Sequence, residues 1–118
     1  MHAGGDRYID RTAGDVMSDA FRIEVLGETS FITMVLHGDV DFETAEEVHR
    51  VVSDAFTRGT SMLTIDLRNV KYLDSSGIHE LTRAYFGARV YGTKVVIVGA
   101  NGPVARALEV AGLASIMG

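Results

Sequence analysis

The sequence predicts a single small α/β domain, a mixed sheet opened by an antiparallel hairpin with helices packed on it, in the order β-β-α-β-α-β-α-(β). Three observations carry this. Two strand-type runs, 21–26 and 31–36, are separated by a short turn. Two further apolar strand segments alternate with stretches whose apolar residues recur at helical spacing. A Gly-Pro step after the last of these strands then opens another helix, because proline suits the first helical position.

Residues 1–20 hold Gly4, Gly5, Gly14 and four aspartates with no hydrophobic period, and read as a flexible N-terminal arm in which Met17 offers a second start. From Phe21 the domain (21–118) begins. "FRIEVL" alternates Phe21, Ile23 and Val25 with Arg22 and Glu24, the pattern of a half-buried strand. Gly27-Glu28-Thr29 forms a turn, and "FITMVL" (31–36) pairs back as a hairpin.

Phe42, Ala45, Val48, Val51, Val52, Ala55 and Phe56 then follow helical spacing, with Asp41 as N-cap and Arg58-Gly59 closing the end. "MLTIDL" (62–67) is a strand. Ile78, Leu81, Tyr85 and Ala88 mark a helix from Gly77 to about Val90. "KVVIVG" (94–99) is a buried-type strand, Gly102-Pro103 starts a helix that ends at Gly112, and "ASIM" forms a short last strand. Crossovers of this length make the successive strands parallel and right-handed.

Composition excludes several function classes. The chain has 118 residues, 47% of them hydrophobic, enough for one core. Its net charge of −5 and the absence of any Lys/Arg run leave no positive stripe for nucleic acid. No cysteine is present, which removes disulfides, thiolate zinc sites and thiol nucleophiles. The apolar runs are too short to insert in a membrane, and the N-terminus lacks a signal-peptide pattern. These features read as a soluble, cytoplasmic protein with no cofactor and no structural metal.

In α/β sheets exposed chemistry gathers where strand C-termini meet helix N-termini. Two loops fall there: Gly38-Asp39-Val40-Asp41 and Asp74-Ser75-Ser76-Gly77. The second sets two hydroxyls beside free backbone N–H groups and the positive end of a helix dipole. A phosphoryl group on either serine would bring about −1.5 to −2 charges to that point. The plainer alternative is that Ser75 caps the helix and Gly77 gives clearance.

Other chemistries fit poorly. Asp74, Ser76 and His79 are neighbours, but a serine and a histidine three or four residues apart on a helix lack triad geometry, and no G-x-S-x-G elbow is present. His2, His37, His49 and His79 show no zinc spacing. "GANGPVA" matches no phosphate-cradling loop. Asp39, Asp41, Asp66 and Asp74 resemble an acidic metal cluster only in number, since Asp66 lies inside a strand and Asp41 serves as a cap.

In combination the segments become specific. "VLHGDVDFETAEEV", "LTIDLRNVKYLDSSGIHEL" and "VVIVGANGPVARALEVAGL" resemble the STAS domain family, and within it the bacterial anti-sigma factor antagonists, over roughly residues 21–116. The shared features are Gly38 and Asp41, Thr44-Ala45, Asp66-Leu67, Asp74 to Gly77, and Val104, Arg106, Leu108 and Gly112-Leu113.

That resemblance implies a protein that is not an enzyme but binds an anti-sigma factor of the serine/threonine kinase type and so frees a sigma factor. The kinase would phosphorylate Ser76, with Ser75 the second choice, and a serine phosphatase would reset it. Asp74 would orient the turn and Ser75 cap it, while Asp39, Asp41 and Gly77 support the same contact face. The resemblance also implies a further C-terminal helix, for which the sequence supplies no residues after Gly118. A constitutive STAS interaction module of a stress-signalling scaffold or transporter complex is the competing expectation.

Overall fold

A computed structural model describes residues 21–117. The expected N-terminal arm, 1–20, lies outside the described residues. The four strands are β1 (Phe21–Glu28), β2 (Phe31–Val40), β3 (Met62–Leu73) and β4 (Lys94–Val98), in the spatial order β1-β2-β3-β4. β1 and β2 form the expected antiparallel hairpin, and β2–β3 and β3–β4 are parallel. The helices are α1 (Ala45–Thr57), α2 (Ser75–Gly87) and α3 (Gly102–Val110), so the chain is the mixed α/β domain that its periodicities predict.

The alternation of the strands does what a period of two requires. Val25, Met34, Ile65 and Ile97 fall in one row across the sheet, and Ile32, Leu63 and Val95 in the next. All are buried, and they share one core with Val48, Val51, Val52 and Ala55 of α1, Leu81 and Ala84 of α2, and Val104 and Leu108 of α3. Each fully buried valine, leucine, isoleucine or methionine among them contributes about 1.5–3 kcal/mol by leaving water.

Several boundaries differ from those read in the sequence, each for a local reason. β1 runs through Gly27 to Glu28, so the hairpin turn is Thr29-Ser30, two residues beyond the point where alternation fades. β3 continues past Leu67 to Leu73, because Asn69, Val70, Tyr72 and Leu73 still pair with β2 although β4 pairs no further than Asp66. Asp66 is therefore mid-strand. Its carboxylate accepts from the Arg68 main-chain N–H at 2.9 Å and from the Arg68 guanidinium at 2.7 Å.

α1 starts at Ala45, three residues later than the apolar spacing suggests, and Phe42 is 80% exposed instead of packed in the core. Thr44 occupies the cap position without a side-chain capping bond. Asp41 instead organises the turn before the helix. α2 starts two residues earlier than Gly77, with Asp74 as its N-cap, and gives way to a 3-10 turn over Ala88–Tyr91. Gly112 follows the C-cap of α3, which is Ala111. "ASIM" is a 3-10 turn (Ala114–Ile116) whose only strand character is one bridge from Met117 to Ile97.

Candidate functional site

β2 and β3 end side by side, and α1 and α2 begin directly after them. Asp39 pairs with Tyr72 and Val40 with Leu73. The register slips between Gly38 and Asp39, where Gly38 takes φ 105°, a backbone state that side chains disfavour. This is the physical use of the glycine in the Gly-x-x-Asp pattern. The slip brings the chain into the turn built on Asp41.

Asp41 is half-buried and its carboxylate faces donors only. It accepts from the Glu43 N–H at 3.0 Å and from the Thr44 N–H at 3.1 Å. The Thr44 hydroxyl lies 3.1 Å from the same carboxylate and 2.8 Å from the Asp39 carbonyl, and it accepts from the Asp41 N–H at 2.8 Å. The Thr44 main-chain bond is the chief reason that the Asp41 carboxyl titrates below its ordinary 3.8, against a smaller opposing effect of burial.

At α2 the cap is Asp74, not Ser75. Asp74 is in extended conformation, and one carboxylate oxygen accepts from the Ser76 N–H at 2.8 Å and the Gly77 N–H at 3.1 Å. Its carbonyl accepts from the Ile78 N–H at 2.9 Å. Ser75 is thereby freed from capping and lies exposed, with Ser76 half-buried beside it. The expectation of ready donors for an anion needs revising here: Ser76, Gly77 and Ile78 all donate to Asp74, which leaves Ser75 as the one first-turn N–H not given to the cap.

Gly77 is buried where α2 presses onto the strand ends. A Cβ there would lie 2.6 Å from Leu73 Cδ1 and 2.7 Å from the Val40 carbonyl oxygen. Only glycine lets the two loops close on each other.

Ser75 and Ser76 open onto a cleft of about 860 Å³ between α1 and α2, lined also by Phe42, Glu46, His79 and Arg83. Of the expected site residues, the two serines line this cleft. Asp39, Asp41, Asp74 and Gly77 build the loops that frame it. The acidic lining comes from Glu43, Glu46 and Glu80.

On the cleft wall lies a cluster that residue spacing did not reveal as a site. Glu80 has a side chain only 8% exposed, and its carboxylate lies 3.1 Å from Arg83 Nη1 and 3.1 Å from His49 Nδ1. Arg83 Nη1 also contacts His49 Nδ1, and His49 Nε2 lies 3.4 Å from the Ser53 hydroxyl. The signal in the sequence was Glu80 itself, an acid within the apolar stripe formed by Gly77, Leu81 and Ala84.

Comparison with known proteins places the fold. A family model described as "Mlab, STAS domain" matches residues 27–118. The anti-sigma-B factor antagonist of Staphylococcus aureus (strain NCTC 8325 / PS 47) is 25% identical over 95 residues, covering 80% of this chain and 88% of that protein. Its counterpart of the same name in Listeria monocytogenes is 28% identical over 90 residues, covering 76% and 79%. Among solved structures, an anti-sigma factor antagonist from Mycobacterium paratuberculosis superposes with a TM-score of 0.73 at 24% identity, covering 84% of each chain. Unphosphorylated SpoIIAA gives 0.72 at 17% identity, covering 84% of this chain and 86% of its own. The phosphorylated form of SpoIIAA gives 0.66, covering 84% and 89%. With the family pattern matched over most of its length and the fold shared, the chain belongs to the STAS domain family.

Proposed function

We propose that this protein is an anti-sigma factor antagonist. It docks on an anti-sigma factor that is also a serine/threonine kinase, and so frees a sigma factor in the cytoplasm. Ser76 is the phosphoacceptor, with Ser75 the second choice. In the kinase step the Ser76 Oγ–P bond forms as the bond from ATP's γ-phosphorus to ADP breaks, and the hydroxyl proton leaves to a base on the kinase. A serine phosphatase reverses this by hydrolysis.

The observation that carries the reading is the position of the two hydroxyls. They stand at the start of α2, in an open cleft, on a loop held in shape by Asp74 rather than by the serines themselves. Adding a group to either serine leaves the cap bonds intact. The fold is kept and the surface changes.

The surface change is electrostatic. The Asp74 carboxylate stands at the Ser76 N–H, Asp39 and Asp41 lie in the neighbouring loop, and Glu43 and Glu46 line the cleft. A nearly dianionic group there adds like charge and a hydration shell that a docked partner must strip. Relatives named as anti-sigma-B factor antagonists support the role.

The test is incubation with candidate kinase-type anti-sigma factors and ATP, followed by mapping of the product by mass spectrometry. Phosphate on Ser76 that releases the bound partner is the expected result. Absence of phosphate on either serine, with stable co-purification of a transporter or scaffold, would replace this reading with the constitutive module.

A further inference from the structure

A phosphate on Ser76 needs counter-charge, and the helix end has little to give. The main-chain donors of Ser76, Gly77 and Ile78 already serve Asp74, whose own carboxylate stands beside the site. Among the side chains lining the cleft, Arg83 is the one that carries a permanent positive charge. It follows Ser76 by two turns on the same helix face, about 10 Å along the axis, and a long helical side chain leans back toward the N-terminus.

In the unmodified protein Arg83 is held elsewhere, but by an arrangement that cannot be fully satisfied. His49 Nδ1 lies within reach of both Glu80 oxygens, at 3.2 and 3.1 Å, and of Arg83 Nη1. Glu80 is an acceptor and asks Nδ1 for a proton. Arg83 is only a donor and asks Nδ1 for a lone pair. One ring nitrogen serves one of them at a time. The cluster therefore has two arrangements: Arg83 on Glu80 and His49, or His49 alone on Glu80 with Arg83 released.

We propose that Arg83 is the phosphate-binding residue of the modified protein, moving from Glu80 to a phosphoryl group on Ser76 while His49 Nδ1–H takes its place on the buried carboxylate. Glu80 is never left bare, which for a carboxylate so deeply buried is the condition for letting Arg83 go. The groups that face the cluster are Glu43 from the turn before α1, Glu46 and His49 from α1, His79, Glu80 and Arg83 from α2, and Tyr91 from the following turn. No other permanent cation among them competes for the phosphate. This inference rests on Ser76 being the modified residue.

The experiment uses full-length protein with phosphoserine installed at position 76 during translation, so that no kinase is needed. Phosphorus NMR follows the second ionisation of the phosphoserine in wild type, Arg83→Gln and Arg83→Lys. Nitrogen NMR reports the state of the His49 ring. A cation beside the phosphate favours its dianion, so the midpoint should lie lower in wild type than in Arg83→Gln by about half a pH unit or more. Arg83→Lys should stay near wild type, and the His49 Nδ1 signal should move to the protonated position on phosphorylation. Coincident midpoints in wild type and Arg83→Gln, or a His49 Nδ1 signal that phosphorylation leaves in place, would overturn the proposal. Either result leaves the kinase assay above untouched, and a failed kinase assay leaves this measurement intact.

Discussion

The main-chain N–H of Asp74 donates to the carbonyl of Val40 at 3.2 Å. Together with the pairing of Val40 and Leu73 and the close approach of Gly77, this bond ties the loop that carries the serines to the loop that carries Asp41. The consequences can be measured.

Replacing Ser76 should change partner binding and leave the fold alone. Ser76→Asp should abolish binding to the partner and Ser76→Ala should bind constitutively, both with stabilities within about 0.5 kcal/mol of wild type, since Ser76 is half-buried and its backbone keeps the cap bond. Loss of a few kcal/mol in Ser76→Asp means more than a hundredfold in Kd by calorimetry. Equal affinities for the two variants would refute the switch.

Two glycines on α2 should respond in opposite directions. Gly77→Ala places a methyl group against Leu73 and the Val40 carbonyl, so it should destabilise by about 1–3 kcal/mol and separate the loops. Gly87 has φ −74°, and a Cβ added there would meet nothing within 4 Å. Gly87→Ala should therefore raise stability by about 0.4–1 kcal/mol, by restricting the unfolded chain. Urea titration of both variants is the check, and a neutral Gly77→Ala would show that the loops do not need their close approach.

Asp41 gives a pH dependence of known sign. Hydrogen bonding, above all from the Thr44 N–H, depresses its folded-state pKa below 3.8. A depressed carboxyl contributes stability that is complete above the unfolded value and is lost as pH falls through the folded one. Asp41→Asn should thus be less stable than wild type at pH 7, with the gap closing below about pH 3.8. A gap that stays constant from pH 7 to pH 3 would show that the carboxylate's charge contributes nothing.

Phe42 stands 80% exposed at the rim of the cleft, where a large apolar side chain gains nothing for the isolated domain. Phe42→Ser should leave the unfolding midpoint unchanged and weaken partner binding by about tenfold or more, as loss of an aromatic anchor does. Unchanged affinity would remove this residue from the docking face.

The residues that decided the fold were legible because they obey a period. Phe21, Ile23 and Val25 alternate, Val48 to Phe56 recur at helical spacing, and both patterns lie where the structure puts them. What escaped was the work of polar side chains at boundaries. Asp41 and Asp74 are both plausible caps in sequence, and only geometry shows that Asp74 takes the helix while Asp41 takes the preceding turn. Phe42 continues the apolar spacing by accident, one turn before the helix exists. The His49–Glu80–Arg83 cluster joins residues up to 34 positions apart on two helices, a relationship no local pattern expresses.

β3 pairs with β4 only from Met62 to Asp66 but stays beside β2 as far as Leu73. The sheet therefore narrows stepwise, β4 ending opposite Asp66 and β1 at Gly38, so that only β2 and β3 remain paired where the two loops begin. Val40 and Leu73 at this end are buried, whereas Tyr72 beside Leu73 is exposed, so substitutions at such exposed positions need not disturb the packing beneath.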